Sequence, residues 1–417
     1  MSKQENAAAL AAAARDDLTK STVTCDMEGR IETFNKGAQK IFGYTPDEVI
    51  GKQRVSLFSP GLVVLAHVPD WLKAARETGE FKSRTVFVRK DGSTFAADIR
   101  ITPTYKEGVM AGYCGVTTPR PDIPVSEALP TIPLFTRIFR WLVVTRAPFL
   151  TATIVPILLG AAWVAAVLNV TPYPWLPFAL AMVGGVALHV AANTYNDYFD
   201  WTSGTDKLNN NYFLPFTGGS RSIELGLISE KGLFRLASSA LGIGLACGLA
   251  LMALGRTNLI WFGLVGAFAT YFYTAPPIRL AARRGLGELF VGLSFGPFMT
   301  AGTIYALSGT LSPVDFLVGL PVGLLIIAVL YINEFPDMES DMAAGKVHLV
   351  AALGKKAARW GYAALVFGAF IAIGWAVYAK LFPAGTLIAL LTLPIALYTT
   401  ATLFQRYADR SLVSANQ

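Results

Sequence analysis

From Pro148 onward the chain carries about eight apolar stretches, each of the roughly 20 residues that a helix needs to cross the hydrocarbon core of a bilayer. They fall at 148–169, 174–196, 232–254, 258–277, 287–308, 314–333, 361–379 and 384–404. A chain built this way must satisfy its backbone within its own segments, which restricts the second half to a bundle of helices. Composition agrees: 53% of the 417 residues are hydrophobic, only 15% are charged and the mean hydropathy is +0.47. A formal charge of +7 raises the question of nucleic acid, but the cations lie in short loops between apolar runs and not in a basic patch. Lys207, Arg221, Lys231, Arg279, Arg283, Arg284, Lys346, Lys355, Lys356 and Arg359 fall in alternate loops, and Arg406 and Arg410 in the tail. The other loops hold little beyond Arg256 and Lys380. This asymmetry predicts a multi-pass protein of the cytoplasmic membrane, with both termini and the cation-bearing loops in the cytoplasm.

Residues 1–17 are Ala-rich and lack the basic and apolar regions of a signal peptide, and they read as a frayed helical or disordered lead-in. Over 18–118 short β-type runs (VTCD, IETF, TVFV, TFAADIRI, GVMAGYCGVTT) alternate with turn signals and a helical NKGAQKIFGY. Asp26, Gly29 and Ile31, then Asn35, Phe42-Gly43-Tyr44, Glu48–Gly51 and Arg89–Gly92 make this region resemble a PAS domain. That resemblance implies a small α+β sensor with an unidentified ligand, a surface for homo-oligomerisation and a regulatory role toward its neighbour. His67 is a candidate haem ligand, weighed against an ordinary structural histidine. Cys25, Cys114 and Cys247 show neither CxxC nor metal-ligand spacing. The proline-rich 119–134 reads as a semi-rigid linker, and LFTRIFRWLVVTR, which opens the 135–410 region, as an interfacial helix.

Two acidic clusters carry the chemistry. Asn193, Asn196, Asp197 and Asp200 recur every three or four residues at the end of the second span, so a helix aligns them on one face, with Gly204 and Asp206 following. Asn333, Asp337 and Asp341 repeat at four-residue spacing at the end of the sixth span. The recurrence suggests an internal repeat that brings both clusters together. Crowded carboxylates at an apolar helix end are expected only with a compensating cation; hard oxygen donors select magnesium or calcium rather than zinc, and magnesium is the one that normally reserves coordination positions for phosphates. Arg221, Lys207 and Lys346 are the candidate cations for a leaving diphosphate.

With Tyr273-Thr274-x-Pro276-Pro277, Gly285-x-Gly287-Glu288 and Gly345-Lys346 added, residues 135–410 resemble the UbiA superfamily of intramembrane prenyltransferases, and in particular its MenA-like dihydroxynaphthoate branch. The resemblance implies a multi-domain protein: an α+β PAS domain followed by an all-α bundle of eight or nine transmembrane helices. It further implies a polyprenyl diphosphate donor, an aromatic acceptor, and Mg2+ held through the diphosphate by Asp200, Asp206, Asp337 and Asp341. Asn193, Asn196, Asp197, Asn333 and Tyr273 would lie beside it. Where the hydroxybenzoate branch has a lysine, this sequence has Pro277 and offers Arg279; His348 and Ala352 stand where Thr and Arg are common. Hydroxybenzoate, homogentisate and porphyrin-type acceptors are therefore alternatives. A non-catalytic lipid or quinone receptor would be expected to lose one acidic cluster, and a transporter to place its acids at the midplane.

Overall fold

A computed structural model describes residues 17–204, 220–343 and 345–408, and divides into two compact units. The first comprises Met1–Trp141 together with the short segment Ser222–Ile228. Its five-stranded antiparallel sheet has the order β2-β1-β5-β4-β3, with β1 Ser21–Asp26, β2 Ile31–Phe34, β3 Phe81–Val88, β4 Thr94–Lys106 and β5 Val109–Pro119. Each strand falls on a run expected from the sequence, and β3 and β4 are joined at Lys90-Asp91-Gly92 as anticipated.

Side chains set the turns. Asp26 accepts the backbone N–H groups of Glu28 at 2.9 Å and Arg30 at 2.8 Å, which folds β1 back into β2. Asn35 caps helix α1 (Lys36–Phe42) by accepting from Ala38 N at 2.7 Å, and the same oxygen takes the N–H of Thr22 at 2.9 Å. The short helix α2 (Pro46–Val49) and helix α3 (Gly61–Thr78) complete the cover of the sheet.

Phe rings fill the centre of this unit: Phe42 stacks on Phe58 at 4.3 Å and meets Phe87 and Phe95 at 5.8 Å each. His67 stacks on Trp71, with Nε2 at 3.1 Å from the Thr131 carbonyl oxygen, the geometry of a structural histidine. Burial pushes the Cys25 thiol up to about 12, so it stays protonated and inert. The proline-rich stretch is more than a spacer. Its helix α4 (Val125–Ala128) buries Ala128, with Ile123 alongside, on Val86 and Ala96 of the sheet. At Gly61 a Cβ atom would lie 1.9 Å from the Leu225 carbonyl oxygen, so only glycine admits the segment Ser222–Ile228 there. Helix α5 (Leu134–Val144) exposes Leu134, Phe135, Ile138 and Trp141, consistent with an interfacial helix.

The second unit is helical: α6 Thr151–Ala166, α7 Trp175–Thr202, α8 Glu230–Ala253, α9 Leu259–Phe272, α10 Leu286–Leu293, α11 Met299–Ser308, α12 Pro313–Ala343, α13 Leu349–Leu353, α14 Lys355–Tyr378 and α15 Leu393–Arg406. Seven segments are long and apolar enough to cross a membrane, and α9 is an eighth, shorter apolar helix. Seven of the eight spans expected from the sequence fall on such segments and the eighth, at 258–277, falls on the shorter α9; among the described residues no ninth appears. The span expected at 258–277 is cut to 14 helical residues because Pro276 and Pro277 follow. Helices α10 and α11 are joined through a π-turn at Ser294–Phe298 containing Pro297. There Gly296 lies against Gly319 and Gly323 of α12, where an added Cβ would fall 2.3–2.7 Å from backbone atoms. Small residues thus bring the two spans into backbone contact, a packing mode suited to lipid, where burial of apolar surface supplies no drive.

Candidate active site

Helix α7 continues through Asn193–Asp200 to Thr202, and α12 through Asn333–Asp341 to Ala343, so both acidic motifs are helical faces as the spacing predicts. Each helix is followed by a glycine in the left-handed region, Gly204 at φ 81° and Gly345 at φ 73°. Asn193, Asn196 and Asp200 from α7 and Asn333, Asp337 and Asp341 from α12 line one cavity of about 620 Å³ within this unit. Tyr273, at the end of α9, and Lys346, in the turn after α12, line it too. Most of the rest of the wall is apolar, including Leu188, Phe262, Phe290, Phe295 and Leu330.

Lys346 is where the two clusters meet. Its Nζ lies 3.5 Å from Asp341 Oδ2. Burial disfavours its charge, but Asp341 and Asp200, with Tyr273 and Asp337, outweigh burial and hold its pKa above the usual lysine value. The ammonium therefore stands beside Asp341, with Asp200 of the other helix end close enough to help hold its charge.

The remaining expected residues fall in different places. Asp197 is buried away from the cavity wall; it accepts the Ser220 hydroxyl and, at 3.3 Å, the Ser220 N–H, and it sits 3.8 Å from Arg146. Asn193 donates to the Thr145 carbonyl at 3.1 Å while still lining the cavity. Arg221 is buried with φ 52°. Arg279 also has positive φ and is not among the lining residues. Asp206 and Lys207 lie outside the described residues.

Four residues that the motif reading did not assign belong here. Arg146 lines the cavity, and its position directly before the first apolar run was the available signal. Glu334 and His348 also line it, and Glu288 is buried beside them, its carboxylate accepting the Leu349 N–H. The backbone brings these last three together. Arg284 N donates to Val347 O at 2.8 Å, laying the 283–285 turn against 347–349, and a Cβ at Gly287 would lie 2.9 Å from Ala281 Cα. The Gly285-x-Gly287-Glu288 spacing thus serves close backbone approach.

As a donor set, the wall that carries Asn196, Asp200, Asn333, Asp337 and Asp341 consists of hard carboxylate and amide oxygens, with a lysine opposite and room beside them. This fits a magnesium ion shared with phosphate oxygens.

Comparison with known proteins gives two family matches: residues 153–415 match the UbiA prenyltransferase family and residues 19–116 a PAS domain. A 1,4-dihydroxy-2-naphthoate octaprenyltransferase from Bacillus subtilis is 27% identical over 51% of this chain and 66% of its own length, so the match spans just under two thirds of that relative. A protein of the same name from Mycobacterium tuberculosis is 29% identical over 54% of this chain and 74% of its own. The structure of a UbiA homolog from Archaeoglobus fulgidus bound to GPP and Mg2+ covers 66% of this chain and 98% of that one at 15% identity, with a TM-score of 0.48.

Proposed function

Because the chain belongs to the UbiA prenyltransferase family, we propose that it transfers a polyprenyl group from a polyprenyl diphosphate to an aromatic quinone precursor, 1,4-dihydroxy-2-naphthoate in first place. The observation that carries this reading is the opening of two acidic helix ends and Lys346 onto one cavity whose other walls are mostly apolar. The named relatives support the naphthoate as acceptor.

Asp200, Asp337 and Asp341, with the side-chain oxygens of Asn196 and Asn333, would hold magnesium, and Asp206 joins them by its place in the motif. When bound, magnesium neutralises charge on the diphosphate. Lys346 and Arg146 on the cavity wall, with Arg221 and Lys207 from the loop that follows α7, supply fixed positive charge toward the same group as the allylic C–O bond breaks. The apolar wall takes the isoprenoid tail and keeps water from the allylic cation, so that an electron-rich aromatic carbon forms the new C–C bond and then sheds its proton, or its carboxylate as CO2, to restore the ring. Tyr273, on the cavity wall, and Arg279, by its place in the sequence, would lie near the diphosphate.

The cations of alternate loops support an orientation with the acidic helix ends, the PAS domain and the C-terminus in the cytoplasm of a cell membrane. The PAS domain supplies a sensor and a surface for self-association. Ser222–Ile228 belongs to the PAS-containing unit and directly follows Arg221, so a change in that unit reaches Arg221 along the chain.

The test is incubation of membranes with labelled polyprenyl diphosphate, Mg2+ and a panel of aromatic acceptors, followed by mass analysis of the lipid products. A prenylated naphthoate product is expected. A product only with hydroxybenzoate, homogentisate or a porphyrin-type ring would move the acceptor, and no product with any of them would overturn the reading.

A further inference from the structure

Glu288, Glu334 and His348 are 3%, 9% and 1% exposed, and their ligand-capable atoms all lie within 4.8 Å of one another. Buried carboxylates at this separation repel unless a proton or a cation stands between them. The hydrogen bonds sharpen the conflict. His348 Nδ1 accepts from the Ala351 N–H at 3.2 Å, which engages its one lone pair and leaves no proton on that nitrogen, yet Glu334 Oε2 faces it at 3.1 Å. Oε2 receives no hydrogen bond among the described residues, and His348 Nε2, 3.7 Å from Asp341 Oδ2, has no hydrogen-bond partner either. The Glu288 and Glu334 carboxyl groups are within reach of each other, and Lys346, the nearest ammonium, is engaged at Asp341. Acceptors therefore face acceptors at the centre of a buried cluster.

We propose that Glu288, Glu334 and His348 form a second metal site, adjoining the aspartates that face the diphosphate but with ligands of its own, for one first-row divalent ion of the zinc type. A mixed imidazole and carboxylate set suits zinc better than magnesium, whose ligands are oxygens alone. Ligands about 2.0–2.1 Å from a tetrahedral zinc ion stand about 3.3 Å apart, close to the separation of Nδ1 and Oε2, and the ion would take the Nδ1 lone pair in place of the Ala351 N–H. Three protein ligands leave one position open, and since Glu334 and His348 line the cavity, that position faces the space in which an acceptor would sit. A hydroxyl or carboxylate oxygen is the ligand class it would take. The site stands on its own geometry and does not depend on the prenyl-transfer reading.

The experiment uses the full-length protein in detergent. Zinc is measured by elemental analysis after desalting, and Co2+ binding by its visible absorption, for wild type, His348→Thr, Glu334→Gln and Asp337→Asn. Each variant is first checked for a monodisperse elution profile. One ion per chain is expected in wild type and Asp337→Asn, with cobalt bands typical of nitrogen and oxygen ligation, and at least tenfold weaker binding in His348→Thr and Glu334→Gln. Glu288→Gln serves as a second carboxylate variant should Glu334→Gln fail to elute as a single species. Absence of zinc and cobalt binding by wild type would show a shared proton instead and overturn the proposal. So would equal binding by the His348 and Glu334 variants, or loss confined to Asp337→Asn, which would place the ion among the aspartates.

Discussion

The two acidic helix ends look alike in sequence, each an asparagine followed by an acid and then carboxylates at helical spacing, yet they treat the acid after the asparagine differently. In Asn196-Asp197 that acid is buried against the Ser220 hydroxyl and the Arg146 guanidinium, so a fixed protein cation stands near its charge. In Asn333-Glu334 it faces His348 and a second carboxylate, Glu288. The spacing thus defines which residues share a face, whereas the neighbours brought in by other segments decide whether an acid anchors the fold or waits for a ligand. At both ends the acid three residues further on, Asp200 on α7 and Asp337 on α12, lines the cavity, and so does Asp341 one turn beyond Asp337.

If the two ends contribute equally to the diphosphate site, Asp200→Ala and Asp337→Ala should each lower prenyl transfer in membranes by about 10²-fold or more, with the protein still inserted and eluting as a single species. Product formation from labelled polyprenyl diphosphate measures this. A large loss at one end with full activity at the other would break the symmetry and leave a single-ended site.

Asp197→Ala tests the difference between the ends and should act first on stability. Its side chain and that of Arg146 are 5% and 17% exposed, and removing one partner strands the other charge, at a cost of about 3 kcal/mol. The thermal midpoint in detergent should fall for Asp197→Ala and for Arg146→Met, and by less than the sum of the two when they are combined. Additive losses would mean that the pair is uncoupled and that Asp197 belongs with the catalytic acids after all.

Much of this was legible in the sequence because it rests on periodicity. The spans, the helical faces of both motifs and the PAS strands follow from spacings of 20, 4 and 2 residues, which a chain cannot hide. Pairings across distant segments left weaker traces. Arg146 reads as an ordinary membrane-flanking cation until α7 places Asp197 beside it. His348 reads as a substitution in a loop until the strand-like contact between Arg283 and Val347 lays it near Glu288. The packing of Ile123 and Ala128 on the sheet was masked by the prolines around them, which signal a spacer by composition alone.

Lys346 provides the pH test of the convergence. Its folded-state pKa is raised above the reference value of 10.5, because Asp341 and Asp200 outweigh burial. The sign follows from linkage: its ion pairs contribute fully below the unfolded pKa and are lost only as pH rises through the higher folded value. Between pH 7 and 10 neither stability nor activity should fall on account of this lysine. Lys346→Met should raise KM for the polyprenyl diphosphate by about ten- to a hundredfold, since a charge-assisted contact of about 1.5–3 kcal/mol is lost. A basic limb near pH 9 that disappears in Lys346→Met would show that the amine is not held by both acidic ends.

The smallest effect separates the two glycines that follow the helices. Gly204 and Gly345 both have positive φ, and a Cβ at either would meet nothing within 4 Å, so Gly→Ala costs only the left-handed backbone, about 1 kcal/mol at each. A small, similar drop in thermal midpoint is expected from both. The functional consequence should differ. Gly345 N donates to Met342 O and the next N–H, that of Lys346, donates to Asp341 O at 2.8 Å, so this turn sets where the ammonium stands. Relaxing it shifts Lys346 relative to Asp341, and Gly345→Ala should raise KM for the diphosphate severalfold while leaving kcat nearly unchanged. An unchanged KM would show that Lys346 is positioned by its ion pairs alone, with the turn serving only to end the helix.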